Sequence, residues 1–277
     1  MAAEGMNRRD FLVTTLGVGF ALAAGPAQAT AIVTDTKGLT AGEVSIPVEG
    51  GTIPAYRAQP AGAGPFPVLL VIEEIFGVHE HIKDMCRRFA KQGYLAIAPE
   101  LYARLGNVTA MTDIHQVLAT VNKAPDKTEM SDLDATLAWA GKNGGNPARA
   151  GIAGFCRGGR TVWMYAAHNP SLKAAIAWYG PLGGKPSEAM PTQPLDVAGE
   201  IKVPVLGLYG GKDDSIPRSD IEAMLHKLKA GGNKSCEFVI YPDAGHAFNA
   251  DYRPSYDADA AKRAWTRALD WLKTHGL

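Results

Sequence analysis

The chain has 277 residues, of which 46% are hydrophobic, and its 28 basic residues balance 28 acidic ones for a formal net charge of zero. Charge parity removes the electrostatic footprint of a nucleic-acid binder or a polybasic membrane-surface protein, and the apolar share excludes intrinsic disorder. Three cysteines are too few, and odd in number, for a disulfide framework, which a chain of this length does not need.

The opening residues read as an address. Arg8-Arg9-Asp10-Phe11-Leu12 starts a basic segment, an apolar stretch follows to Ala24, and Ala27-Gln28-Ala29 offers a small-x-small cleavage site. The apolar run is too short to span a bilayer, and paired arginines before Phe-Leu are similar to a twin-arginine export signal. The expectation is an exported, periplasmic or similar soluble protein that meets the twin-arginine translocase and has no stable membrane insertion. Residues 1–29 are therefore set apart, leaving 30–277 as one domain.

Glu43–Val48 alternates, and Gly50-Gly51 turns the chain into Ile53–Arg57, which predicts an N-terminal hairpin. Pro67–Ile72, Tyr94–Ala98, Arg149–Phe155, Ala174–Trp178, Val203–Tyr209 and Cys236–Tyr241 are apolar runs of strand length. Strands apolar on both faces belong to a parallel sheet covered by helices on two sides. Helical patterns lie at His81–Lys91, Thr109–Asn122, Ser131–Ala140, Thr161–His168, Ser219–Lys229 and Asp257–Thr274, with Ser219 and Glu222 spaced as a capping box. The alternation predicts an α/β class, doubly wound and mostly parallel.

Arg149–Phe155 runs into Gly154-Phe155-Cys156-Arg157-Gly158-Gly159 ahead of a helix-compatible segment. That is the strand–turn–helix setting of a nucleophile elbow, with cysteine in the serine position. A sulfur at a helix N-terminus faces free N–H groups and the positive end of the macrodipole, which favour the reactive thiolate. Downstream, the predicted strand ending at Tyr209 leads to Lys212-Asp213-Asp214, and the one ending at Tyr241 leads to Asp243-Ala244-Gly245-His246. Both loops leave the carboxyl ends of parallel strands, where open sheets place their ligand sites. His246 is the candidate base and Asp213 its orienter, with Asp214 and Asp243 as competing neighbours. His79 and His81 lack the further ligands that a metal pair would need. No phosphate loop or dinucleotide fingerprint occurs, so no cofactor or metal is expected.

With these residues assembled, the chain resembles the dienelactone hydrolase family (carboxymethylenebutenolidases) of the α/β-hydrolase fold. Four segments carry the resemblance: Glu73-Glu74-Ile75-Phe76-Gly77, Pro99-Glu100-Leu101-Tyr102-Ala103-Arg104, Gly154–Gly159 and Gly245-His246-Ala247-Phe248. It implies a triad of Cys156, Asp213 and His246, with Glu74 helping to take the thiol proton. A carboxylate in a partly dry cleft is expected above its usual range for that task. The backbone amides of Arg157 and Ile75 would form the oxyanion hole. Arg104 would clamp a substrate carboxylate, and Trp178, Tyr179 and Phe76 would line the pocket. The family pattern has a second arginine four residues after the histidine, where this chain has Ala250, with Arg253 three positions on. The implied activity is hydrolysis of an ester or lactone through a thioacyl-enzyme. The alternatives are a general exported carboxylesterase, a ligand carrier that kept the fold, and a redox thiol protein pairing Cys86 with Cys236.

Overall fold

The structure is a computed structural model that describes residues 31–277; the predicted export segment, residues 1–29, lies outside the described residues. Eight strands form one sheet in the order β1-β2-β4-β3-β5-β6-β7-β8. Their ranges are β1 Leu39–Val48, β2 Gly51–Pro60, β3 Phe66–Ile72, β4 Leu95–Pro99, β5 Gly145–Phe155, β6 Ala174–Trp178, β7 Val205–Gly210 and β8 Glu237–Tyr241. β1 and β2 pair as the expected hairpin, β2 is antiparallel to β4, and every remaining pair is parallel. Residues Val68–Ile72 of β3 and all of β4 and β6 are buried, as the continuous apolar runs require of strands covered on both faces.

Among the described residues the α-helices are α1 Glu80–Lys91, α2 Ile114–Val121, α3 Asp126–Lys142, α4 Arg157–His168, α5 Pro194–Val197, α6 Arg218–Ala230 and α7 Ala258–Thr274. α1 packs on β2 and β4, α3 on β5 and β1, α4 on β5 and β6, and α7 on β6 and β7. The rings of Phe89 and Trp265, 4.7 Å apart, join α1 to α7.

Several boundaries differ from the sequence reading. The helix predicted over Thr109–Asn122 is α-helical only at Ile114–Val121, after a 3-10 turn at Val108–Ala110, and β5 starts four residues before the predicted Arg149. α3 begins five residues before the predicted Ser131, because Pro125 supplies the extended cap and Asp126 and Glu129 place acidic groups in the first turn. α4 begins at Arg157 rather than Thr161: tertiary packing overrides the low helix propensity of Gly158 and Gly159. The capping box at Ser219 and Glu222 does not form, since the N-cap of α6 is Pro217, two residues before Ser219, and it makes no side-chain cap bond. By contrast, Asp257 caps α7 by accepting the Ala260 N–H at 2.9 Å.

The architecture gathers four loops at the carboxyl edge of the parallel strands. Glu73 and Glu74 follow β3, Cys156 follows β5, Asp213 follows β7, and His246 follows β8. Cys86, on α1, and Cys236, just before the edge strand β8, lie toward opposite sides of the sheet. The strands between them span roughly 20 Å, well past the reach of a disulfide. The redox-pair alternative therefore fails on geometry.

Candidate active site

Cys156 sits at φ 54° and ψ −116°, between the last residue of β5 and the first of α4. Two glycines permit that bend: a Cβ on Gly154 would stand 2.3 Å from the Gly158 carbonyl oxygen, and one on Gly158 would stand 2.4 Å from that of Glu73. Among the described residues, the non-glycine positions with positive φ are Cys156, Tyr179 and Ala247. Tyr179 directly faces the His246 ring and Ala247 follows it, so backbone strain concentrates around one imidazole.

That imidazole bridges the expected partners. His246 Nε2 lies 3.2 Å from Cys156 Sγ, and its Nδ1 lies 2.7 Å from Asp213 Oδ2. Asp213 is buried and accepts from Ser215, whose backbone N–H donates at 3.0 Å and whose hydroxyl also lies 3.3 Å from His246 Nδ1. Of the neighbours, Asp214 is exposed, and Asp243 is an exposed partner of Lys212. Burial alone would push His246 down, but the Cys156 sulfur and the Asp213 carboxylate outweigh it and hold the ring up at about 10. Asp213 is in turn held below its ordinary range, as His246 and Ser215 overcome its desolvation.

The two adjacent glutamates behave oppositely. Glu73 is fully buried: Oε1 accepts the Leu101 N–H at 3.0 Å, and Oε2 has no partner. Burial, with the Glu100 and Glu129 carboxylates adding to it, pushes Glu73 well above the carboxylate range. Glu74 is equally buried but is held at about 2. Desolvation would raise it; His79 Nε2 at 3.6 Å and Arg253 Nη1 at 3.8 Å act against that, and the Tyr252 hydroxyl donates to Oε2. The expectation of an elevated Glu74 is thus overturned, because His79 and the Arg253 guanidinium together outweigh the desolvation that burial imposes.

Arg104 is also placed differently from the clamp expected of it. It is exposed on a 3-10 turn, Ala103–Leu105, where its guanidinium forks onto Asp132 and reaches the Glu49 carbonyl at 3.3 Å. Arg253 takes the interior position instead: it is buried over the Phe76 ring, with Nε and Nη1 making no hydrogen bond. Its loop is fixed to α1 through Asp251, which meets His81 Nδ1 at 3.2 Å and Arg88. Tyr179 is buried in an edge-on contact with His246, the ring centroids 5.2 Å apart, and its hydroxyl has no hydrogen-bond partner, whereas Trp178 packs between Phe155 and Phe248 as core. Ile75 is buried directly after Glu74. The sequence alone gives Tyr252 and His79 no role at this site; its signals are adjacency to Arg253 for the first and proximity to the Glu-Ile-Phe-Gly segment for the second.

Among the described residues, no group of three or more His, Cys, Asp or Glu side chains could hold a metal, and no helix is long and apolar enough to cross a membrane.

The dienelactone hydrolase family profile matches residues 53–276. A protein of Methylorubrum extorquens named "Putative carboxymethylenebutenolidase" is 56% identical over 98% of this chain and 94% of its own length. One of the same name from Escherichia coli K12 is 52% identical over 96% of this chain and 98% of its own. A crystal structure described as "Putative Dienelactone Hydrolase" from Klebsiella pneumoniae superposes with a TM-score of 0.82 at 52% identity, covering 85% of this chain and 98% of that one. The sheet order, the loops gathered at its carboxyl edge and these matches lead to one conclusion: the chain belongs to the dienelactone hydrolase family and is a hydrolase of the α/β-hydrolase fold.

Proposed function

We propose that the protein hydrolyses a carboxylate-bearing ester or lactone through a cysteine thioacyl-enzyme. The observation that carries this reading is the single imidazole within hydrogen-bond reach of both the Cys156 sulfur and the Asp213 carboxylate. His246, held up at about 10, takes the thiol proton as the sulfur engages the substrate. The sulfur anion then attacks the carbonyl carbon, a C–S bond forms, and the carbonyl electron pair moves onto oxygen. The amides of Arg157 and Ile75 stabilise that oxyanion. Collapse breaks the ring C–O bond, and the departing enolate, still tethered to the acyl group, takes the imidazolium proton. Neutral His246 next removes a proton from water, hydroxide attacks the thioester, and the thiolate leaves as the free acid forms.

Glu74 has a different part from the one the family resemblance gives it. A carboxylate held at about 2 is a weak base toward a thiol, so its role is that of a fixed charge that orients Arg253 and His79. Arg253, with two buried nitrogens lacking hydrogen-bond partners, replaces Arg104 as the clamp for the substrate carboxylate.

The test is a panel of lactones and esters, with and without a carboxylate, assayed on the parent and on Cys156→Ala. Turnover should vanish in the variant; retained hydrolysis of an activated ester would refute the thioacyl route. Export rests on Arg8-Arg9 and the apolar stretch after them. Replacing both arginines by lysine should leave the chain in the cytoplasmic fraction, and unchanged export would refute that part.

A further inference from the structure

The helix that follows the nucleophile opens with two arginines whose side chains run to α3 and the loop beyond it. Arg157 is buried; its Nη2 donates to Glu129 Oε1 at 2.8 Å, and its guanidinium lies 5.9 Å from the Tyr102 ring centroid. The other Glu129 oxygen accepts from Thr161 Oγ1 at 3.0 Å, so one buried carboxylate on α3 ties the first and fifth residues of α4. One turn on, Arg160 forks onto Asp126 at 2.7 and 2.8 Å and reaches Gln193 Oε1 at 3.1 Å.

Stability does not call for these charges. A buried ion pair is often matched or bettered by apolar side chains of similar volume, so its presence is better explained by the geometry it imposes. Here the geometry concerns one peptide. Arg157 is the residue whose amide follows the sulfur, and its neighbour Gly158 is wedged against the Glu73 carbonyl with no space for a Cβ. The backbone is thereby fixed on one side by that close approach and on the other by the guanidinium.

We propose that Glu129 is a positioning residue for the hydrolysis: by holding the Arg157 side chain, it aims the Arg157 N–H at the oxyanion. This rests on the thioacyl reading given above. Asp126 is the internal comparison, since it is also buried and pairs with an arginine of the same helix, but holds Arg160, three residues beyond the donating amide.

The experiment uses Glu129→Gln and Asp126→Asn in the full chain. Two rates are read: steady-state hydrolysis of p-nitrophenyl acetate, and alkylation of Cys156 by iodoacetamide, which attacks through the same sulfur but generates no oxyanion. Glu129→Gln should lower kcat about tenfold or more, as expected for a misdirected oxyanion donor. KM and the alkylation rate should stay within about twofold of the parent. Asp126→Asn should leave kcat within about threefold. An unchanged kcat in Glu129→Gln, or alkylation falling in step with it, would overturn the proposal, the second result placing the effect on the sulfur–imidazole pair. If Glu129→Gln does not fold, Arg157→Lys, which keeps the charge but loses the guanidinium that reaches Glu129, carries the same expectations. Active Cys156→Ala would overturn this proposal together with the thioacyl reading, whereas a null result at Glu129 alone leaves that reading standing.

Discussion

Replacing Glu73 by glutamine should stabilise the protein increasingly as pH rises. The carboxyl is fully buried, one oxygen accepts the Leu101 N–H at 3.0 Å, and the other is unpartnered. Burial first, and then the carboxylates of Glu100 and Glu129, hold it protonated well above the pH near 4.5 at which the unfolded chain releases that proton. Folding between those two points takes up a proton, so the parent loses about 1.4 kcal/mol of stability per pH unit across the window. The ceiling on that loss at pH 7 is about 3 kcal/mol. Glutamine keeps the acceptor oxygen and a donor in the hydroxyl's place while carrying no titration. Urea unfolding of both proteins at pH 5, 6.5 and 8 should show a small gap at the lowest pH that widens in favour of the variant. A gap independent of pH, or one that widens in favour of the parent, would mean that Glu73 is ionised in the fold, and would refute the reasoning. Glu74 carries the opposite sign: held at about 2, it contributes stability present above about pH 4.5 and lost as pH falls toward 2.

Asp213→Asn removes the acceptor that orients His246 and helps hold it up, so kcat should fall by about 10³–10⁴ in steady-state assays, while Asn at exposed Asp214 should leave it within about twofold. Arg253→Gln should lower kcat/KM about tenfold or more for a lactone bearing a carboxylate, as the loss of a charge-assisted contact requires, with a much smaller effect on a neutral ester. Arg104→Gln should leave kcat/KM within about twofold for both substrates, since the guanidinium is committed to Asp132 and not to the pocket.

What the sequence disclosed and what it withheld divide along one physical line. Features set by local pattern were legible: the buried strands as apolar runs, the elbow as glycines around Cys156, and the triad order as loops after successive strands. Features set by a distant charge were not. Glu74 and Arg104 sit in segments that fit the family motif, yet each takes its state from a partner that neither spacing nor periodicity links to it. Beside His79, the Arg253 guanidinium from the far end of the chain stands 3.8 Å from the Glu74 carboxylate and helps hold it ionised, and Asp132, 28 residues past Arg104, commits that guanidinium. The same holds for the start of α4. Gly158 and Gly159 argue locally against a helix, and the ion pairs from Glu129 and Asp126 anchor the turn that propensity alone would not favour. In this chain a motif fixes where a side chain stands, and the long-range ionic partner decides its charge and therefore its chemistry. A substitution at Tyr252 or Glu129 should accordingly alter the reaction more than the same change at an equally buried residue with only apolar neighbours.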